Sequence, residues 1–274
     1  MPPARARMIY RHKTKYKTVR AMSPMLIRGM KLSVDFEIRR LSPSELLGRP
    51  LNSVEEKYAP KVLHIAGPMR IPIPGPRVAV IGTRHPTPAG IKSATAIVRR
   101  LVERGVTVVS GLARGIDTVA HQTAIKNGGR TIAVLGTPLN RFYPPENRPL
   151  QEKIVKEHLA VTQYPIGHIT EPKDFVLRNR TMALISNASI IVEAGKTSGA
   201  ISQGWESLRL GRQLCLWQAL LKKNLEWPRK MLDYGAHVLR TPADIERIID
   251  EFIPSVEGAV QIREVEGLES PSVS

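Results

Sequence analysis

From Arg77 onward, short runs of apolar, mostly β-branched residues alternate with stretches of helical period, and few folds accept that alternation. Strands are predicted at 78–81, 106–110 and 131–135, with helices at about 89–103 and 118–126 between them. These strands are almost continuously apolar, as a parallel sheet covered on both faces requires. A second series follows: a helix near 151–157, a strand at 160–163, a helix at about 175–186, a strand at 189–192, a helix at about 200–210 and a strand at 213–217. A terminal helix at 242–252, capped by Thr241, completes it. The two series predict an α/β fold with a doubly wound, mostly parallel Rossmann-like sheet and helices on both faces. Ligands of such sheets bind outside the carboxyl ends of the strands.

Four segments are expected along the 274 residues. Residues 1–29 carry eight Lys or Arg, no acid and no amphipathic period, and read as a disordered basic arm. The competing reading is a start at Met30, where a more ordinary sequence begins. Residues 30–76 are a proline-rich lead-in packed on the core, with a short helix after a Ser42 cap and a strand around 62–65. Residues 77–253 form the Rossmann-like domain, and 254–274 read as a disordered tail.

Composition removes several function classes. No apolar run approaches the roughly 20 residues that span a bilayer, and the start lacks the apolar core of a secretory signal, so no membrane partner and a cytoplasmic location are expected. The one cysteine, Cys215, sits in an apolar run and reads as an ordinary buried thiol. The seven histidines show no metal-type pairing, so no metal is expected and His121 reads as a helix-packing residue. The net charge is +17, of which the arm supplies eight, leaving +9 (17 − 8) for the remainder. That excess points to a polyanionic partner or to a solvated basic face.

Three glycine-bearing segments fall at predicted strand ends: Gly82-Thr83-Arg84, Ser110 to Asp117, and Ser198-Gly199. Each opens a helix-like stretch, whose unpaired N–H groups and positive dipole end suit an anion. Arg84 is placed to clamp a phosphate bidentately, or is a plain surface arginine. In the second segment, Gly111 and Gly115 flank the small Ala113 and permit close backbone approach, though a tight turn without a ligand would use the same residues. Arg178-Asn179-Arg180 is read at a helix start shortly after Lys173, where three clustered cations favour an anionic ligand. Arg130 and Arg141, on either side of the third strand, widen the basic surface or are ordinary solvated charges. Neither the dinucleotide fingerprint nor a Walker A loop is present, so no nicotinamide or ATP cofactor is expected.

Together these residues resemble the DNA-processing protein A family, also called Smf. The ordered string runs through Gly82-Thr83-Arg84, Ser110 to Asp117, His121, Gly128 to Gly136, Tyr143-Pro144-Pro145-Glu146-Asn147, Arg178-Asn179-Arg180, Ser186, Glu193-Ala194, Ser198-Gly199 and Gly211-Arg212, with Tyr58-Ala59-Pro60 and His64 to Gly67 as a lead-in. The resemblance implies an extended Rossmann-like domain that binds single-stranded DNA in a basic pocket, forms a homodimer and helps load the RecA recombinase during natural transformation, with no catalysis. Its phosphate contacts would fall to Arg84, the amides of Ser110 to Gly115, Arg178 to Arg180 and the Ser198-Gly199 turn. Two departures stand out. Pro138 replaces a usual glycine, which removes one N–H donor, and Trp217 to Pro228 lacks the usual Pro-Gly turn, which puts the RecA and dimer contacts in question.

Two other classes share such a sheet. A nucleoside-monophosphate phosphoribohydrolase would need a carboxylate close to the sugar, and the related lysine-decarboxylase-like family places paired glutamates just after its last glycine loop, whereas 193–203 holds no carboxylate pair. A nucleotide-sensing protein would use the same crevice. Glu193 and Asp117, the carboxylates nearest the loops, read as partners of backbone amides or arginines rather than as acid and base.

Overall fold

A computed structural model describes residues 36–252, so the basic arm 1–29 and the tail after Pro254 lie outside the described residues. The elements are β1 (Arg39–Leu41), α1 (Pro43–Leu47), α2 (Ser53–Tyr58), β2 (Leu63–Ala66), β3 (Arg77–Gly82), α3 (Pro88–Glu103), β4 (Thr107–Ser110), α4 (Ile116–Lys126), β5 (Thr131–Leu135), α5 (Arg148–Glu157), β6 (Leu159–Thr162), α6 (Pro172–Ile185), β7 (Ala188–Glu193), α7 (Gly199–Arg209), β8 (Gln213–Trp217), α8 (Glu226–Asp233), β9 (His237–Leu239) and α9 (Asp244–Phe252). No helix among them is long and apolar enough to cross a membrane.

The strands form one sheet in the order β1-β2-β6-β5-β4-β3-β7-β8-β9. From β6 to β9 all neighbours are parallel, and the chain reverses its winding between β3 and β7. Period-two burial explains the layers. Val78 and Val80 pack with Ile97, Leu101 and Ala120 of α3 and α4, while Ala79 and Ile81 face Met182 and Ile185 of α6. The interior of β3 is thus apolar on both sides.

The lead-in does more than pack on this core. It supplies β1 and β2, which join antiparallel at the β6 edge. Three residues beginning Arg39-Arg40 carry no periodic signal, so β1 escapes a pattern reading. The Ser42 cap is present as a capping box with Glu45, and Gly48, at φ 72°, ends α1 in the left-handed region. Residues 218–241, left without elements by the sequence pattern, hold α8 and β9.

Glu55 ties the lead-in to the core. Its carboxylate is fully buried and accepts from Arg49 at 2.7 and 2.8 Å, from Asn52 N at 3.0 Å and from Arg212. The Arg49 bonds, helped by Asn52 and Arg212, outweigh burial and lower its pKa from 4.5 to about 2. A depressed folded-state pKa adds stability above the unfolded value and loses it as pH falls. Wild-type Tm should therefore drop from pH 4.5 toward about 2. Glu55→Gln should remove up to about 3 kcal/mol at neutral pH and flatten that acid limb. Parallel Tm-versus-pH curves for the two proteins would contradict the assignment.

Candidate nucleic-acid interface

The carboxyl ends of β3, β4, β5 and β7 open into a cleft of about 690 Å³ at the point where the winding reverses. A smaller recess of about 200 Å³ adjoins it, and Arg84, Arg114 and Arg178 all line that recess. The three arginines therefore converge on one rim rather than on separate sides of the molecule.

Arg84 stands on the loop after β3. Thr83 donates its N–H to Glu193 O at 2.7 Å and accepts from Ile116 N at 3.2 Å, so the loop is held at both groups. The Arg84 side chain is exposed and forms no hydrogen bond or ion pair among the described residues. Gly115 explains how the β3 and β4 loops fit together: its φ is 77°, and a Cβ there would lie 2.3 Å from Thr83 O. This glycine serves the contact of two backbones.

Arg178 corrects the sequence reading most. The helix starts at Pro172, with a reciprocal cap between Glu171 and Asp174, so Arg178 lies well inside α6 and not at its positive end. It is 7% exposed, and its Nη1 donates to Gly111 O and Val134 O, both at 2.6 Å. A Cβ on Gly111 would sit 2.0 Å from that nitrogen, so the glycine makes room for a guanidinium of the protein itself. Asp117, also buried, accepts from Gly111 N at 3.2 Å and Ala113 N at 3.3 Å. These two amides are consequently engaged inside the loop. Burial raises the Asp117 pKa, while the Arg178 charge opposes that rise. Ser110 is fully buried and donates to Val80 O at 2.7 Å.

Other sequence-predicted residues do reach the cleft. Arg141 lines it from the β5 loop, which is braced by Thr137 Oγ1 donating to Arg141 O at 3.1 Å. The Arg141 guanidinium has no partner among the described residues. Asn179 donates to Gly199 O at 3.3 Å, joining α6 to the α7 entrance, where Ser198 Oγ accepts from Ala200 N at 3.3 Å. Arg114 reaches across to Glu146 as an ion pair.

Three expected contacts lie elsewhere. Lys173 is exposed and paired with Glu171. Arg180 turns toward α7, with Glu206 Oε1 at 3.3 Å and the Tyr58 ring at 5.8 Å. Arg130 precedes β5, hence sits at the amino end of the sheet, where it donates to Thr107 Oγ1 at 3.2 Å and Gly105 O at 2.5 Å. Helical spacing turns Arg178 and Arg180 to different faces, and strand direction separates Arg130 from the loops.

The carboxylates fit their reading as structural partners. Glu193 Oε2 accepts from Thr87 N at 3.0 Å and Thr87 Oγ1 at 3.1 Å, and Oε1 lies 3.3 Å from Lys223 Nζ. His121 is fully buried with Nδ1 2.7 Å from Thr131 Oγ1, and burial lowers its pKa to about 3. Cys215 is buried likewise, its pKa pushed up to about 12. No cluster of three or more potential metal ligands occurs among the described residues. Outside the sequence-predicted set, the rings of Tyr143 and Phe175 meet at a tilt of 44°, their centroids 5.0 Å apart, and line both hollows. The Tyr143-Pro144-Pro145 string and the Phe175 three residues before Arg178 were the available signals.

Comparison with known proteins agrees with this architecture. The family model described as DNA recombination-mediator protein A matches residues 48–251. Protein Smf of Synechocystis sp. is 47% identical over 126 residues, covering 46% of this chain and 32% of that protein. The DNA processing protein DprA of Streptococcus pneumoniae is 40% identical over 139 residues, covering 51% and 49%. That of Bacillus subtilis is 30% identical over 187 residues, covering 68% and 63%. The chain thus spans about a third to two thirds of the length of these curated relatives. The X-ray structure of the S. pneumoniae protein superposes with a TM-score of 0.67 at 30% identity, covering 79% of this chain and 75% of that one. DNA processing protein A of Helicobacter pylori, described for its single-stranded DNA binding mode, gives 0.65 at 25% identity, covering 81% and 100%.

Proposed function

Since the chain belongs to the DNA recombination-mediator protein A family, we propose that it binds single-stranded DNA in the cleft at the β3/β7 switch point, protects the strand and passes it to RecA in the cytoplasm, acting as a homodimer and without catalysis. The observation that carries the reading is the convergence of Arg84, Arg114 and Arg178 on one rim, with the first of them unpaired. Guanidinium forks suit phosphate, and Arg141 adds a second unpaired cation along the same edge. The single-stranded DNA binding mode of the H. pylori relative supports the choice of single-stranded DNA. Against a phosphoribohydrolase stands the engagement of Glu193 with Thr87 and of Asp117 with loop amides, which leaves neither carboxylate free for a sugar.

The test is a gel shift with labelled oligo-dT and the matching duplex across a salt series. Single strands should be retained selectively, with log K falling by about 0.7 per decade of salt for each phosphate held. Equal retention of duplex, or binding indifferent to salt, would remove the reading, and release of free base from a nucleotide would transfer it to the hydrolase class. RecA filament nucleation on the bound strand and the solution mass of the protein test the RecA and homodimer parts separately.

A further inference from the structure

The carboxyl edge of the sheet continues beyond the cleft, and so does its charge. From β5 to β8 along the sheet, the loop after each successive strand carries a cation: Arg141 after β5, Arg114 after β4, Arg84 after β3, Lys196 after β7, and Lys222 with Lys223 after β8. Strands in a sheet are about 4.8 Å apart, so the row from β5 to β8 covers four spacings, or about 19 Å. Arg141 and Arg84 line the cleft and Arg114 the recess beside it, whereas none of the three lysines lines either hollow, although the β7 loop borders the cleft through Gly195, Thr197 and Ser198.

Lys196 and Lys222 are exposed and have no partner among the described residues. Lys223 is held beside them by Glu193, whose other oxygen caps the entrance of α3 through Thr87. That carboxylate is therefore occupied, and the loop after β8 presents the Lys222 charge at the same edge as the cleft.

We propose that Lys196 and the Lys222-Lys223 loop form a second segment of the DNA track, which takes the phosphates of the strand after it leaves the cleft and crosses β7 and β8. This inference rests on the single-stranded DNA reading of the cleft. It adds a binding surface and fixes the side on which a longer strand runs.

The test compares an oligo-dT of about 6 nucleotides with one of about 20, lengths that bracket common single-strand site sizes. The full chain is used as wild type, as Lys196→Ala/Lys222→Ala and as the corresponding Arg pair. Neither lysine holds anything in the fold, so the Ala pair should unfold like wild type. With the long oligonucleotide it should bind about 10-fold more weakly and lose about 1.4 from the salt slope, the share of two phosphates. With the short one it should match wild type, and the Arg pair should match wild type with both. Unchanged affinity and slope on the long strand overturn the second segment while leaving the cleft standing. Equal loss on both lengths also overturns it, because the lysines would then belong to the cleft. A wild type that binds neither length removes the cleft reading and this one with it.

Discussion

Arg178→Ala should lower the stability of the fold by about 3–5 kcal/mol, the range for leaving a buried charge without the opposite charge near it. Three losses combine. Gly111 O and Val134 O each lose a donor at 2.6 Å at the ends of β4 and β5. Asp117 loses the charge that opposes its burial. The space beside Gly111, kept open for the guanidinium, becomes a void. A chain of this size shifts by about 2–4 °C per kcal/mol, so Tm should fall by about 10 °C. Arg178→Lys should recover part of the loss, since an ammonium keeps the charge without the planar fork. Asp117→Asn in the Arg178→Ala background should cost less than it does in wild type, because the carboxylate no longer has a partner to lose. A Tm for Arg178→Ala within a degree or two of wild type would show that the two carbonyls and Asp117 do not depend on it.

This residue also marks where reading the sequence stops. The parallel core was legible because strands such as 131–135 are apolar without interruption, and that burial pattern is local. The glycine segments were legible as strand ends for the same reason. What the pattern could not supply was direction. Arg178, Asn179 and Arg180 are adjacent in sequence, yet α6 turns the first toward Gly111, the second toward Gly199 and the third toward Glu206. The choice depends on where the helix begins, and the cap formed by Glu171, Pro172 and Asp174 begins it three residues earlier than periodicity indicates. Gly111 and Gly115 looked like phosphate-approach glycines, but both admit other parts of the protein, a side chain in one case and a backbone in the other. Arg84 lies at the carboxyl edge because a residue just past a parallel strand must sit there, whatever its rotamer.

Arg84→Ala should weaken single-stranded DNA binding by about 10- to 100-fold, the loss expected for one charge-assisted contact of about 1.5–3 kcal/mol, and should reduce the salt slope by about 0.7. Arg84→Lys should fall between, keeping the charge and losing the bidentate geometry. The stability of the same variant should move the other way from that of Arg178→Ala. Arg84 makes no contact that truncation would break, and its charge acts against that of the buried Arg178. Without a ligand the two guanidiniums repel across the recess they share, so removing the exposed one should leave Tm unchanged or raise it slightly. In the proposed reading, a strand phosphate beside Arg84 would offset that repulsion. Thermal shift and anisotropy on the same samples separate the roles. Lost binding with retained or raised Tm assigns Arg84 to the ligand. Lost binding together with a lowered Tm would mean that Arg84 supports the loop instead, and full retention of binding would remove phosphate recognition from this position.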